Sequence, residues 1–432
     1  MCRGPIIGAL FERFTPGAGR PFYGWAIVLV GALVAFSSGP GQSFVFSIFL
    51  DSIIEDTGLS RTDVSLLYAV GTGVSALMVM TVSRIADRTG PRLTLIGVAV
   101  VFGAVCFGMA FAVGTISFFI AFAALRAFGQ GSLPINSTLL VASWFVERRG
   151  RAMAVVGLGF AASNAVLPPF SQFLISSIGW REAYMVLGVM VWALVLPGAI
   201  FLVRNRPEDV GLYPDNRDRP PANEPTPEQV KSQPDTRRVF TSPIFWMLAL
   251  PLATPSFVST ALIFHQVSIF DERGLSAAVA ASVFVPYAVT SASSSMAGGF
   301  IVDRMGPKFL FGLTMLALFA GTLMALVITS PFLAVIYALL LGIQGGFQRI
   351  VGGTTWAHFY GRHNLGRIQG SAMMVGITSA AIGPLPVAFL QEQTSSYTLP
   401  ILVMAALPIL AVIAISFARP KPYGEDDHST TA

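Results

Sequence analysis

The chain has 432 residues, of which 54% are hydrophobic and only 11% are charged, and its mean hydropathy is +0.69. This composition excludes an ordinary water-soluble protein, because soluble domains carry about 25% charged residues. The net charge of +5 is distributed over many loops, so it does not indicate the clustered basic face of a nucleic-acid-binding protein.

The first 22 residues contain Arg3, Arg13 and Arg20 but no short apolar core followed by small residues. They do not resemble a signal peptide, and we expect residues 1–22 to form a cytoplasmic N-terminal segment. From Trp25 onward, apolar stretches recur at the length of roughly 20 residues that a spanning helix needs. They predict twelve helices, at residues 23–50, 62–83, 92–114, 116–144, 152–177, 181–203, 243–269, 276–301, 308–329, 331–357, 368–390 and 398–418.

Many connections between these stretches are only a few residues long, so consecutive helices must be antiparallel neighbours in a bundle. Membrane-spanning β-barrels instead show strands of roughly ten residues that alternate in hydropathy, and the stretches here are continuously apolar. The sequence therefore predicts an all-α membrane protein. Glycine and proline within the spans predict breaks in helices one, five and seven, at residues 37–43, 163–169 and 254–256.

The positions of the 27 Lys and Arg residues predict the orientation. Twenty-two lie on one side of the predicted spans, and only Arg61, Arg181 and Arg273 lie on the other; Arg126 and Arg349 are inside helices. Because basic loops stay in the cytoplasm, both termini are predicted to be cytoplasmic. We expect a multi-pass protein of the cell inner membrane.

Residues 204–242 form a Pro-rich, polar stretch that cannot build an apolar core. This stretch predicts a cytoplasmic linker between a six-helix bundle at 23–203 and a second one at 243–418, with a cytoplasmic tail at 419–432.

Two loops are repeated in the predicted halves, which indicates a duplicated six-helix unit. SRIADRTGPR, which begins at Ser83, returns as GFIVDRMGPK at Gly299, and WFVERRGRAM returns as HFYGRHNLGRI, at offsets of 216 and 214 residues. Asp87 and Asp303 of the first repeated loop are predicted to face a helix N-terminus or a basic residue of a neighbouring helix, and so to form a latch that opens and closes at the cytoplasmic ends. In the alternative, the aspartates only cap turns and fix the topology. The residues of this gating and coupling group are Asp87, Arg88, Arg149, Asp303 and Arg304.

The repeated loops resemble the signature of the major facilitator superfamily, G-x-x-x-D-R-x-G-x-R/K. The second copy matches fully, whereas the first has Ser83 in place of the glycine. Arg126 and the glycines that follow it resemble the superfamily's helix-four motif, which implies a role for Arg126 in coupling or packing. The resemblance implies two pseudo-symmetric six-helix bundles around a central solute path.

The aromatic entry to helix one at Phe22–Trp25, the pair Trp144-Phe145 and the stretch Phe264-His265-Gln266 resemble the monocarboxylate and oxalate/formate branch. Well-known carboxylate transporters of that branch carry an arginine in helix eight. Here helix eight has no Lys or Arg within its apolar run, so the usual anion-binding cation is missing from its place.

Arg349 in helix ten is the predicted anion-binding residue, because an intramembrane charge is costly unless it has a partner or a function. The alternative is that it bonds to backbone carbonyls and holds the bundle together. Other polar residues within the helices could contact substrate in a hydrated cavity, although each could equally be an interhelical hydrogen-bonding group. They are Gln42, Tyr68, Asn136, Asn164, Tyr287, Gln344, Gln348 and His265, the last as a proton switch or a histidine bonded to backbone.

The sequence thus predicts a secondary transporter that moves a small organic anion, foremost a monocarboxylate, by alternating access with proton symport or exchange. Facilitated diffusion remains an alternative, and the lack of a G-x-x-x-x-G-K-[ST] loop argues against direct use of ATP. We expect a monomer in the bilayer without metal, cofactor or catalytic residues. A carrier of a neutral or aromatic metabolite such as a vitamin, a transport-like sensor and a membrane-embedded enzyme are the other hypotheses.

Overall fold

The computed structural model describes residues 22–145, 148–216, 243–360 and 365–417, and within these ranges the chain is helical and has no strand. Twelve long helical segments follow one another at positions close to those predicted. They are α1 (Gly24–Ser37, Gly39–Gly41 and Ser43–Thr57), α2 (Arg61–Thr89), α3 (Pro91–Ala110), α4 (Thr115–Leu125, Arg126–Ser132 and Leu133–Trp144), α5 (Arg149–Ile178), α6 (Trp180–Pro197 and Gly198–Leu202), α7 (Pro243–Phe264 and Gln266–Glu272), α8 (Ala277–Ser282 and Phe284–Met305), α9 (Pro307–Val327), α10 (Pro331–Tyr360), α11 (Leu365–Ile382 and Pro384–Thr394) and α12 (Thr398–Phe417).

Eleven helical stretches among the described residues are long and apolar enough to cross a bilayer. The remaining long helix, α2, has 29 residues but a lower apolar content, with charged residues at both ends and glycines, serines and threonines between them. The predicted all-α membrane fold with twelve helices is confirmed, and the chain is a multi-pass membrane protein.

The breaks in the helices only partly follow the prolines. The predicted break in α1 is confirmed as a short 3₁₀ turn at Gly39–Gly41. The predictions for α5 and α7 were wrong, because the helix continues through Pro168, Pro169 and Pro255. Buried proline is tolerated in membranes when neighbouring helices or small adjustments satisfy the freed carbonyl. The sequence missed the interruptions of α7, α8 and α11.

The repeated loop after α2 and α8 has the same local structure in both copies. Gly90 has φ of +83° and Gly306 has φ of +80°, and each is followed by a proline that begins the next helix. Glycine reaches this backbone region without strain, and proline suits the first turn of a helix. The sequence repeat therefore corresponds to a repeat of structure.

The chain divides into two compact units that differ slightly from the predicted halves. The N-terminal unit contains residues 1–49 and 71–224, and the C-terminal unit contains residues 50–70 and 225–432. The division after residue 224 falls within the predicted linker. Residues 50–70, which comprise the end of α1 and the start of α2, belong with the C-terminal helices, and we call them segment 50–70.

Within the C-terminal unit, glycines bring α10 against α8. A Cβ atom at Gly346 would lie 2.5 Å from the backbone oxygen of Ser291, and one at Gly342 would lie 2.8 Å from the backbone oxygen of Tyr287. Small residues allow such close approach between membrane helices, where packing and not water exclusion drives association. This contact places the middle of α10 directly on α8.

The close approach predicts that Gly346→Ala destabilises the protein while Gly352→Ala on the same helix does not. Alanine favours a helix by up to about 1 kcal/mol over glycine, but overpacking at position 346 costs about 1–3 kcal/mol. Among the described residues, no atom beyond the local helix lies within 4 Å of a Cβ at Gly352. Thermal unfolding in detergent should show a lower midpoint for Gly346→Ala and an equal or higher one for Gly352→Ala; equal midpoints for both variants would contradict the packing argument.

Candidate functional site

A group of polar side chains lies on α7, α8 and α10 of the C-terminal unit. Three of its members were predicted on α10 and one on α8, and Ser256 and Ser291 are added by the structure. We call this group the C-terminal polar cluster. It consists of Ser256, Tyr287, Ser291, Gln344, Gln348 and Arg349.

Arg349 is the charged member of the cluster. Its Nε donates a hydrogen bond to the Gly345 oxygen at 3.3 Å, and its Nη2 donates to the Ser291 hydroxyl. The side chain is exposed, and within the described residues no carboxylate lies at ion-pair distance and no acceptor is assigned to Nη1. Arg349 lies seven residues before Trp356, the end of the apolar span. At 1.5 Å per residue the Cα of Arg349 lies about 10 Å inside that end.

The neutral members form a directed chain of hydrogen bonds beside Arg349. Gln344 is buried and donates from Nε2 to Oε1 of Gln348 at 2.7 Å, and Gln348 donates from its own Nε2 to the Ser256 hydroxyl at 2.9 Å. The two glutamines are one turn apart on α10, so this chain ties α10 to α7. Because Ser256 acts as the acceptor, its own proton remains for another partner.

Tyr287 completes the cluster from α8. A Cβ at Gly345 would lie 3.0 Å from the Tyr287 hydroxyl oxygen, so the absence of a side chain at Gly345 makes room for this hydroxyl. Gly345 also accepts the hydrogen bond from Arg349 Nε. The Tyr287 phenol of α8 and the Arg349 guanidinium therefore both lie against the turn of α10 that contains Gly345.

Two other predicted residues of this unit are fully buried and have protein partners. His265 Nε2 lies 3.0 Å from the Pro384 oxygen and its Nδ1 lies 3.4 Å from the Tyr397 hydroxyl. The Tyr68 ring packs edge-on against Phe264 at 4.7 Å between centroids. His265 thus has the arrangement of a histidine bonded to backbone, and substrate contact by either residue stays a prediction.

In the N-terminal unit, Arg126 is fully buried and holds the break in α1. Its Nη1 donates to the Gly41 oxygen at 2.8 Å and its Nε donates to the Thr72 hydroxyl at 3.1 Å. A Cβ at Gly41 would lie 2.7 Å from the Cα of Gly129, so α1 and α4 also touch here backbone to backbone. Arg126 and Gly129 of the helix-four motif thus both serve the α1 break, which supports the packing role inferred for Arg126.

The other predicted residues of the N-terminal unit form hydrogen bonds within their own helices. Gln42 donates to the Ser38 hydroxyl at 3.4 Å, Asn136 donates to the Ser132 oxygen at 2.8 Å, and Asn164 donates to the Phe160 oxygen at 3.5 Å. The buried Oδ1 of Asn136 has no hydrogen-bond partner among the described residues. A role in substrate binding stays a prediction for Gln42 and Asn136.

The predicted cytoplasmic latch is only partly described. Arg88, Asp303 and Arg304 are exposed at the ends of α2 and α8. The side chains of Asp87 and Arg149 lie outside the described part of the structure, so the latch stays a prediction.

Comparisons with known proteins identify the kind of protein to which these units belong. A family model described as Major Facilitator Superfamily matches residues 31–281 and 252–432. The hexuronate transporter of Bacillus subtilis is 24% identical over 88% of this chain and 92% of its own length. Human monocarboxylate transporter 11 is 26% identical over 90% of this chain and 82% of its own length.

Solved structures support the same fold. The crystal structure of a bacterial homologue of the human lysosomal transporter Spinster superposes with a TM-score of 0.69 at 18% identity, covering 94% of this chain and 100% of that one. At this identity the likeness shows the fold alone.

The environment of Arg126 predicts that Arg126→Met destabilises the protein. The substitution keeps an unbranched apolar stem but removes hydrogen bonds to Gly41, Thr72 and Ser43. At roughly 0.6 kcal/mol for each interhelical bond, the loss is about 2 kcal/mol. The matched variant Arg151→Met alters an exposed arginine at the start of α5 and should change stability by less than about 0.5 kcal/mol. Equal denaturation midpoints for both variants would show that Arg126 does not hold the break.

Proposed function

This chain belongs to the Major Facilitator Superfamily, and we propose that it carries a small organic anion, foremost a monocarboxylate, across the cell inner membrane by alternating access. As a member of that superfamily it is a transporter of small organic substrates. The proposal concerns the charge of the substrate, the residues that bind it and the source of energy.

The observation that carries the proposal is the incomplete hydrogen bonding of Arg349. Its guanidinium is permanently charged and has five N–H donors, of which two have assigned acceptors in the described structure. A carboxylate can accept two parallel hydrogen bonds from such a group. The free donors at Nη1 are therefore suited to hold the carboxylate of a substrate.

The position of Arg349 also accounts for the missing arginine of helix eight. Its Nη2 reaches the Ser291 hydroxyl on α8, because the glycines of α10 bring the two helices together. The cation is supplied by α10 but lies against α8, where carboxylate transporters of the resembling branch carry theirs. This location supports an anion as the substrate even though α8 has no arginine of its own.

The names of the relatives support the same class of substrate. The Bacillus subtilis relative transports a hexuronate and the human relative is named for monocarboxylates, and both kinds of compound carry a carboxylate. Proton symport or exchange with a second anion would supply the energy for uptake.

The assignment predicts that Arg349→Gln lowers carboxylate uptake into proteoliposomes by roughly 10- to 100-fold at low substrate concentration. Hydrogen bonds to a charged group contribute about 1.5–3 kcal/mol, which corresponds to that range. Arg349→Lys keeps the charge but loses the two-pronged geometry, so it should retain an intermediate activity.

Arg151→Gln is the matched control, because it removes one positive charge from an exposed position in the other unit. It should transport at the rate of the unmodified protein. If Arg349→Gln transports as well as this control, Arg349 does not bind the substrate anion.

A panel of labelled substrates with and without a pH gradient tests the substrate class. Carboxylates should compete with each other for uptake and neutral analogues of the same size should not, because a neutral group cannot compensate the charge of Arg349. Competition by neutral or aromatic metabolites alone would support the vitamin-carrier hypothesis instead. Uptake that is accelerated by external acid indicates proton symport, and acceleration by internal unlabelled anion indicates exchange.

A further inference from the structure

Arg92, in the first turn of α3, has an incomplete set of partners. Its Nη2 donates a hydrogen bond to the Ile200 oxygen at the end of α6, at 2.6 Å, and its backbone N–H donates to Oδ1 of Asn205 at 3.0 Å. Its buried Nε has no acceptor among the described residues, and none of their carboxylates lies at ion-pair distance. A guanidinium is always charged and has five N–H donors. Arg92 therefore has both a charge and N–H donors to offer to a ligand.

Two further arginines flank the residue that Arg92 contacts. Arg204 and Arg206 lie on either side of Asn205, just after the end of α6. Arg204 is partly buried and Arg206 is exposed. Asn205 itself lies against the turn before α3, because a Cβ at Gly90 would lie 2.7 Å from its side chain. Three positive charges are thus gathered where α3 begins and α6 ends, on the side predicted to be cytoplasmic.

Two carboxylates follow in the same stretch of chain. Glu208 and Asp209 are exposed, and Asp209 accepts a hydrogen bond from the backbone N–H of Arg206 at 3.1 Å. Neither forms an ion pair with an arginine in the described part of the chain. Three cations against two anions leave this surface with a net positive charge.

An exposed apolar surface adjoins these charges. Leu93, next to Arg92, is 61% exposed, and Phe201 at the end of α6 is 57% exposed. Deeper in the membrane the two helices are joined by Trp192, whose Nε1 donates to the oxygens of Ala99 and Val100 at 3.2 and 3.1 Å. The outer faces of α3 and α6 therefore lie side by side, with the charges at one end. A soluble anion would contact only the charged end, whereas a phospholipid would contact both parts.

We propose that this surface binds an anionic phospholipid of the leaflet on the predicted cytoplasmic side. Arg92, Arg204 and Arg206 hold the headgroup phosphate, and an acyl chain lies against Leu93 and Phe201. Arginine matches the geometry of phosphate through two parallel hydrogen bonds, and basic pockets between membrane helices bind lipid headgroups. A zwitterionic lipid is disfavoured, because its ammonium group would approach the same three cations. The inference does not depend on the substrate of the transporter.

The test places a fluorescent reporter beside the surface. Leu93→Trp is reconstituted in vesicles that contain phosphatidylglycerol or phosphatidylcholine with brominated acyl chains, and the signal of the unmodified protein is subtracted. Brominated phosphatidylglycerol should quench the added tryptophan with a relative binding constant about fivefold higher, the factor for one basic residue near an anionic surface. Adding Arg92→Gln should remove most of this preference, and Arg92→Lys should keep part of it.

The sequence repeat supplies a matched control reporter. Phe309 on α9 lies 216 residues after Leu93, at the corresponding position of the second copy, and is also exposed. Arg92→Gln should leave the lipid preference at Phe309→Trp unchanged. Arg151→Gln removes an exposed arginine from the same unit and should leave the preference at Leu93→Trp unchanged.

Equal quenching of Leu93→Trp by the two lipids, or a preference that survives Arg92→Gln, would overturn the proposal and leave these arginines with a role in topology alone. Misfolding of the Arg92→Gln variant is recognised by altered quenching at Phe309→Trp. A salt titration then provides the test in the unmodified background, because screening should weaken the preference as NaCl is raised. A preference that does not change with NaCl would contradict an electrostatic site.

Inorganic phosphate distinguishes a lipid from a soluble anion. At matched ionic strength, sodium phosphate should reduce the preference at Leu93→Trp no more than NaCl does, because free phosphate lacks the acyl chain. Stronger competition by phosphate would assign the three arginines to a soluble phosphate and overturn the lipid as the ligand.

Discussion

The hydrocarbon of a bilayer offers no hydrogen-bond partners, and the rest of this structure depends on how that shortage is met. Helices satisfy most backbone groups internally, so the informative groups are those that helices leave unsatisfied. Arg126 and Arg349 show two responses. Arg126 is buried and donates to the carbonyl that the α1 break sets free, whereas Arg349 is exposed and keeps N–H donors without an assigned acceptor in the described structure. The first arginine completes the fold, and the second is available to a ligand.

The same shortage explains why glycine accompanies both arginines. An arginine can cap a free carbonyl or reach a neighbouring helix only if the backbones lie close together. Gly41 and Gly129 allow this approach between α1 and α4, and Gly342 and Gly346 allow it between α10 and α8. Each glycine pair thus determines which helix its arginine can reach, and for Arg349 that helix is α8.

The sequence predicted the features that depend on local pattern. The length of the apolar stretches predicted the positions of the helices. Gly39-Pro40-Gly41 predicted the α1 break, because proline lacks a backbone N–H donor and glycine adopts backbone conformations that other residues avoid. The breaks at His265 and Val283 were missed because neither position carries such a marker, and Pro255 stayed helical because its neighbours compensate. Within the site, Arg349 stood out as a charge in an apolar run, but Ser291 did not. Serine is common between membrane helices, and only tertiary packing pairs Ser291 with Arg349.

The position of segment 50–70 could likewise not be predicted from the sequence, because chain order alone assigns it to the first six helices. It belongs to the C-terminal unit and is hydrogen-bonded there to Ser268 and Glu392, residues more than 200 positions away. No repeat or hydropathy pattern signals such pairs. A polar residue near a helix end is ordinarily solvated, so nothing in the sequence distinguishes Asp51 and Arg61 from surface charges.

The C-terminal polar cluster and segment 50–70 both bond to α7, on opposite sides of its interruption. Ser256 belongs to the first piece and Ser268 to the second, and at 1.5 Å per residue they are separated by about 18 Å. His265 occupies the joint and bonds to the Pro384 oxygen at the interruption of α11. This bond joins the two interruptions to each other. A buried histidine suits this position, because its ring bonds to a backbone oxygen that a break in a neighbouring helix exposes.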